Sequence, residues 1–251
     1  MDMTEKEMIR NQLLDTLIDF DKICRDEKIQ YSLHGGTLLG AVRNGKFIPW
    51  DDDIDISMTR KNFIHLARIC KQKKGLHIMY SKIAPWIPRV YSSNPSAPID
   101  ILIYDYICEN KIGQLIKISL LSVLQCFLKQ NVQPKYDKFW KSMVVNILRK
   151  IGSCFSEKKI KKVYTFIAQN CFVGKKKKIH RSVDQFSALS IILPKEVMEE
   201  YMTMPFEKKY FLVTKNYDCI LSTAYGKDYL IPPSPEKRKT DHSDIRKNCL
   251  K

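Results

Sequence analysis

The chain contains no C-x-x-C pair, although it carries eight cysteines (24, 70, 108, 126, 154, 171, 219 and 249). That scatter excludes a zinc or disulfide framework and predicts reduced, mostly buried thiols in a cytosolic protein. No uncharged run reaches the roughly 18–20 residues that a membrane span needs. The opening MDMTEKEMIRNQ is charged and amphipathic, unlike a secretory signal. His65 and His77 have no companion at metal-ligand spacing and read as structural. Acidic residues are nearly missing from residues 111–180, which hold 16 lysines and arginines against Asp137 and Glu157 alone. Most of the formal net charge of +16 therefore sits in one block, and the remainder is close to neutral. One basic block predicts a face that meets something anionic. No known nucleic-acid module accompanies it, so no nucleic-acid partner is expected.

What is present begins with length. A chain of 251 residues, 44% hydrophobic and 28% charged, can bury a sizeable core as one domain or as a core with a sub-domain. Thr4 with Glu7 forms a capping-box pattern, and apolar residues from Ile9 to Phe20 predict a helix to about Glu27. Tyr31 to Met58 then reads as a strand, a glycine pair, a short helix, a loop and a second strand. Gly35 and Gly36 let the backbone approach a bulky anion, and Thr37 can cap the following turn so that its N–H groups face phosphate. Arg43, one or two helical turns further on, can add a charge-assisted contact. Asp53 and Asp55 alternate with Ile54 and Ile56, which in a strand places both carboxylates on one face. Two carboxylates beside a phosphate-cradling turn suit Mg²⁺, with Mn²⁺ as the alternative ion, and a pyrophosphate. Thr59 can cap a helix to about Lys73, ended by Gly75, and residues 76–80 and 88–91 read as strands. Asp100 lies between Ile99 and Ile101 on a further strand, and Asp105 reads as a strand-end or turn residue.

The order of these parts is that of the nucleotidyltransferase fold. HGGTLLGAVR followed by GKFIPWDDDIDI resembles the LicD family of phosphotransferases, whose relatives include the fukutin-type ribitol-phosphate transferases. Near the C-terminus, Phe206, Glu207, Tyr225, Gly226, Tyr229, Pro232, Pro233, Lys237, Arg238 and His242 resemble that family's closing motif. Such a segment can return over the site and offer Arg238 and His242 to phosphate. The resemblance covers roughly residues 30–105 and 204–243. It implies an α/β (α+β) fold: a nucleotidyltransferase-like mixed-sheet core with a basic helical insertion. The expected divisions are residues 1–110 for the catalytic core, 111–200 for the insertion and 201–251 for the segment completing the core.

The resemblance further implies a CDP-activated donor, a glycan or glycolipid acceptor, and Asp100 as a third metal ligand with Asp53 and Asp55. Asp51, Asp52 and Trp50 would support these ligands from behind, Asp51 and Asp52 by orienting them. A choline donor would call for aromatic faces, for which Trp50, Trp86, Tyr91 and Tyr104 are candidates. Residues 111–180 combine apolar helical spacing (Phe139, Trp140, Met143, Val144, Ile147, Leu148) with lysines. Two readings stand: interfacial helices on the inner face of the cytoplasmic membrane, or a helical sub-domain with an ordinary buried stripe. Function divides likewise. The first reading is transfer of phosphocholine, or of ribitol or glycerol phosphate, onto a cell-surface glycan precursor of teichoic-acid, lipopolysaccharide or capsule type. The second is nucleotidyl transfer to a small molecule or RNA, and the third is non-enzymatic nucleic-acid binding.

Overall fold

The computed structural model describes residues 3–72, 75–129, 139–234, 236 and 238. In chain order the elements begin with helix α1 (Met3–Asp26), strand β1 (Ser32–Leu33), α2 (Gly35–Asn44), β2 (Asp55–Thr59) and α3 (Arg60–Gln72). Strands β3 (His77–Tyr80), β4 (Pro88–Tyr91) and β5 (Ile99–Ile107) follow, then helices α4 (Lys111–Leu128), α5 (Phe139–Ser153) and α6 (Glu157–Asn170). The chain closes with β6 (Lys178–Arg181), β7 (Ile192–Pro194), the hairpin β8 (Tyr201–Phe206) and β9 (Lys209–Thr214), and α7 (Tyr217–Tyr225). The side chains of Thr4 and Phe139, and all of Lys237 and His242, lie outside the described residues.

The chain forms two compact units. The first comprises Met1–Met79, Pro88–Ile103 and Glu196–Lys251; the second comprises Tyr80–Ile87 and Tyr104–Lys195. These boundaries fall a few residues before those expected from the sequence, and residues 80–87 join the second unit.

In the first unit the strands run in the order β1-β2-β5-β4-β3. β1 pairs antiparallel with β2, Ser32 opposite Ser57, and β4 pairs antiparallel with β5, Arg89 opposite Asp100. This is the mixed α/β fold that the motif order implied. The core is built from the predicted periodicities: Leu13, Leu17, Phe20 and Cys24 of α1 are buried, as are Ile54, Ile56 and Met58 of β2 and its approach. Thr59 accepts from the Asn62 amide and opens α3, the predicted cap. The β8–β9 turn places both Glu207 (φ 48°) and Lys208 (φ 63°) in the left-handed region without a glycine. Non-glycine residues rarely adopt that conformation. Two contacts hold it here: the Glu207 amide donates to the Gly45 carbonyl, and its carboxylate accepts from the Phe47 amide at 2.9 Å.

The second unit is not purely helical. The later half of β5 pairs with β6, Asp105 opposite His180, and β6 pairs with β7. Asp105, expected at a strand end, instead lies buried within β5 and accepts from the Ser182 hydroxyl at 2.5 Å. Strand β5 continues through it because Tyr104, Asp105, Tyr106 and Ile107 all pair with β6. Helix α4 is fixed by its polar side: Lys117 Nζ donates to the Tyr106 and Ala168 carbonyls at 2.7 Å each. Gln125 donates to the Tyr164 hydroxyl and the Asp184 carbonyl. Among the described residues, seven cysteines are free thiols, but only Cys24 and Cys126 are fully buried and Cys154 is exposed.

Candidate active site

The site is built at the amino end of α2. His34 is extended and takes the N-cap place, its amide donating to the Asp55 carbonyl at 2.9 Å, and the helix begins at Gly35. The two glycines therefore form the first helical turn, where backbone N–H groups have no partner within the helix and the dipole is positive. Here the absence of Cβ atoms is a steric requirement. A Cβ on Gly35 (φ +55°) would stand 2.6 Å from Asp55 Oδ2, and one on Gly36 would stand 2.0 Å from Asp51 Oδ2. Two carboxylates thus press onto the positive end of one helix. Thr37 does not cap that turn: its hydroxyl accepts from the Asp55 amide at 3.0 Å and locks α2 onto β2.

The alternation predicted around the aspartates holds. Ile54 and Ile56 are fully buried, while Asp53 and Asp55 are half-buried, although regular strand begins only at Asp55. Asp51 and Asp52 are more buried than either. Asp100 lies one strand over, its amide donating to the Ile54 carbonyl at 3.0 Å. Its carboxylate is gripped on both oxygens by Arg89 of β4, Nε to Oδ1 at 2.5 Å and Nη2 to Oδ2 at 3.1 Å. Among the described residues no group of three or more His, Cys, Asp or Glu side chains is gathered at metal-ligand spacing. Asp53, Asp55 and Asp100 therefore do not make a closed cage by themselves. Mg²⁺ does not require one, since it is commonly held by one or two carboxylates together with substrate phosphates. The hard oxygens of Asp55 and Asp51 at the α2 terminus fit that pattern.

Three cations shape the surroundings, and two were not expected. Arg10 of α1 donates from Nη2 to the Ile48 and Asp51 carbonyls at 2.6 Å each and from Nε to Asp51 at 3.1 Å. It also lies 5.1 Å from the Phe47 ring, and burial lowers its pKa, opposed by nearby Asp51 and Glu207. Lys6 adds a bond to the Pro49 carbonyl. Together they strap the loop that carries Trp50 and Asp51 to α1. No local motif marks these residues, because their partners are backbone carbonyls some forty positions away. Arg43, expected on phosphate, is taken up by the Tyr229 carbonyl and, at 3.1 Å, the Ile231 carbonyl. It anchors the proline-rich exit that follows α7. Tyr229 in turn donates to Asp218 at 2.8 Å; burial first, then that bond, push its hydroxyl up to about 12.

Arg238 lies over Trp50, with its guanidinium 4.9 Å from the ring and Nε on the Pro233 carbonyl. The four aromatic candidates are divided between the two units. Tyr91 stacks on His77 at 5.2 Å, while Trp86 and Tyr104 are buried within the second unit, Trp86 donating to the Asp184 carbonyl.

Residues 28–93 match the family model described as LicD/FKTN/FKRP, nucleotidyltransferase domain. The chain is 26% identical to the lipopolysaccharide cholinephosphotransferase LicD of Haemophilus influenzae, over 96% of each protein. It is 40% identical over 47 residues to the human ribitol 5-phosphate transferase FKRP, 19% of this chain and 9% of that one. An uncharacterised protein of Rickettsia typhi is 40% identical over 67 residues, 26% of this chain and 22% of its own. The resemblance to the LicD family, and its link to fukutin-type proteins, therefore holds.

Proposed function

We propose that this chain is a Mg²⁺-dependent phosphotransferase that moves phosphocholine from CDP-choline to a hydroxyl of a cell-surface glycan precursor and releases CMP. The observation that carries the reading is the meeting of Asp51 and Asp55 with the amino end of α2, at two glycines that a Cβ would close. It lies inside the segment that matches the family model. The alignment with a cholinephosphotransferase runs nearly end to end, whereas the ribitol-phosphate transferase aligns over one short stretch. That difference favours choline; alditol-phosphate transfer is the second reading, supported by the short stretch.

The chemistry follows from the residues. Gly35 and Gly36 place the first-turn amides of α2 beside the Asp51 and Asp55 carboxylates, where the donor's distal phosphate would meet the ion. Asp51, Asp53 and Asp55 would hold the ion, and Asp100 would face it from the next strand. Bound Mg²⁺ supplies positive charge against the negative charge that grows on the departing CMP. The acceptor oxygen attacks the distal phosphorus in line, the bond to the CMP oxygen breaks, and the hydroxyl proton passes to Asp100 or to water. Arg238, seated on Trp50, brings a cation to the loop that borders the site. Free thiols and a CDP-activated donor both suit a cytoplasmic enzyme.

The test is calorimetric titration with CDP-choline, CDP-ribitol, CDP-glycerol, CDP and ATP in the presence of Mg²⁺, followed by product analysis. Preference for CDP-choline over CDP, with CMP released, is the expected result. Preference for a CDP-alditol would replace the donor and keep the mechanism. Binding of ATP alone, with pyrophosphate as the product, would turn the reading to nucleotidyl transfer.

A further inference from the structure

The second unit carries an apolar surface that its own packing leaves open. On α5, Trp140, Met143, Val144, Ile147 and Ile151 recur at the spacing of a core-facing stripe, yet all five are exposed, Trp140 at 57%. Among the described residues of that helix, the buried ones are Val145 and, without a side chain, Gly152. On α4 the bonds of Lys117 and Gln125 fix the helix rotation, so Ile112, Leu115, Ile116 and Leu120 emerge on the far side. Ile112 and Leu115 are 69% and 66% exposed. The two helices touch, since a Cβ on Gly152 would stand 2.5 Å from the backbone of Phe127.

Charge identifies what covers this surface. Exposed lysines flank it, among them Lys111, Lys141 and Lys150, with Lys158, Lys159 and Lys162 on the next helix. Of the two acids in residues 111–180, Glu157 is already paired with Lys161 at 2.6 Å. We propose that α4 and α5 lie on an anionic lipid bilayer, with their apolar stripes at the acyl boundary and the lysines among the headgroups. Helix α4 is long and apolar enough to cross a membrane by length and composition. Crossing would strip Lys117 and Gln125 of the carbonyls of Tyr106, Ala168 and Asp184, so the helix lies along the surface instead. The proposal stands apart from the donor chemistry, because it concerns the second unit alone.

The test uses the full chain without donor or metal. Sedimentation with mixed phosphatidylcholine–phosphatidylglycerol vesicles is compared with pure phosphatidylcholine, at low and high salt. Capture by the anionic vesicles only, weakened by salt, is expected. The pair Trp140→Ser with Ile147→Ser should lower the partition coefficient about tenfold or more. The helical circular dichroism should stay unchanged, since both side chains are exposed. Equal capture by neutral vesicles, no capture, or an unchanged coefficient in the variant would overturn the proposal. Self-association that the same variant abolishes, without vesicle capture, would overturn it in favour of a protein–protein face.

Discussion

Helices α1 and α4 divide their apolar residues between core and solvent in different ways. Helix α1 buries Leu13, Leu17, Phe20 and Cys24 and holds a loop with its half-buried Arg10. Helix α4 buries Lys117 and Gln125 among Leu121, Cys126 and Leu128 and leaves Ile112, Leu115 and Ile116 exposed. Each large aliphatic side chain left in water forgoes about 1.5–3 kcal/mol of burial. In the first unit that free energy stabilises the frame of a site; in the second it is held back for contact with something else. The direction in which an apolar stripe faces therefore separates a scaffold from a docking surface.

The contrast can be broken at several points. The largest effect belongs to the first unit. Asp53→Asn, Asp55→Asn and Asp100→Asn should each slow CMP release at least about a thousandfold, or ~4 kcal/mol. The thermal midpoint should change little for the first two and fall for Asp100→Asn, which breaks the ion pair with buried Arg89. An Asp100→Asn protein with near-normal turnover would leave that residue as the partner of Arg89 and nothing more. Next comes a matched pair read by urea denaturation. Leu17→Ala should cost about 2–5 kcal/mol, whereas Ile116→Ala should stay within about 0.5 kcal/mol of the parent chain. Equal costs would show that α4 is packed like α1, and the comparison would fail. The smallest effect is on the loop strap: Arg10→Ala should cost about 1–2 kcal/mol, because the carbonyls of Ile48 and Asp51 lose their donor. The same variant should weaken donor binding, and unchanged affinity would show that the strap does not position Asp51.

Local pattern made much of the first unit legible. The apolar period of α1, the Thr59 cap and the alternation around Ile54 and Ile56 each depend on neighbours within a few positions, and each holds. The glycine pair was expected to admit an anionic ligand; within the fold, what comes close to it are Asp51 and Asp55. Asp100 was legible as a carboxylate on a strand, yet its grip by Arg89 depends on strand pairing. Arg10 and Arg43 bind carbonyls far along the chain, and a carbonyl leaves no mark in sequence. In the second unit the period of α5 was visible, but periodicity reports that a stripe exists and not which way it faces. Lys117 reads as one of sixteen surface cations until the fold places it inside.

The broken path of the first unit sets a timetable for its synthesis. The Phe47 amide waits for Glu207, and Arg43 waits for the carbonyls of Tyr229 and Ile231. Residues 104–195 must leave the ribosome in between, a delay of roughly 5–20 s at about 5–20 residues per second. During that interval the second unit, whose chain is nearly continuous, can complete its own contacts first. The nascent protein would then own its docking face before it owns a braced catalytic loop, so that delivery to a surface precedes competence.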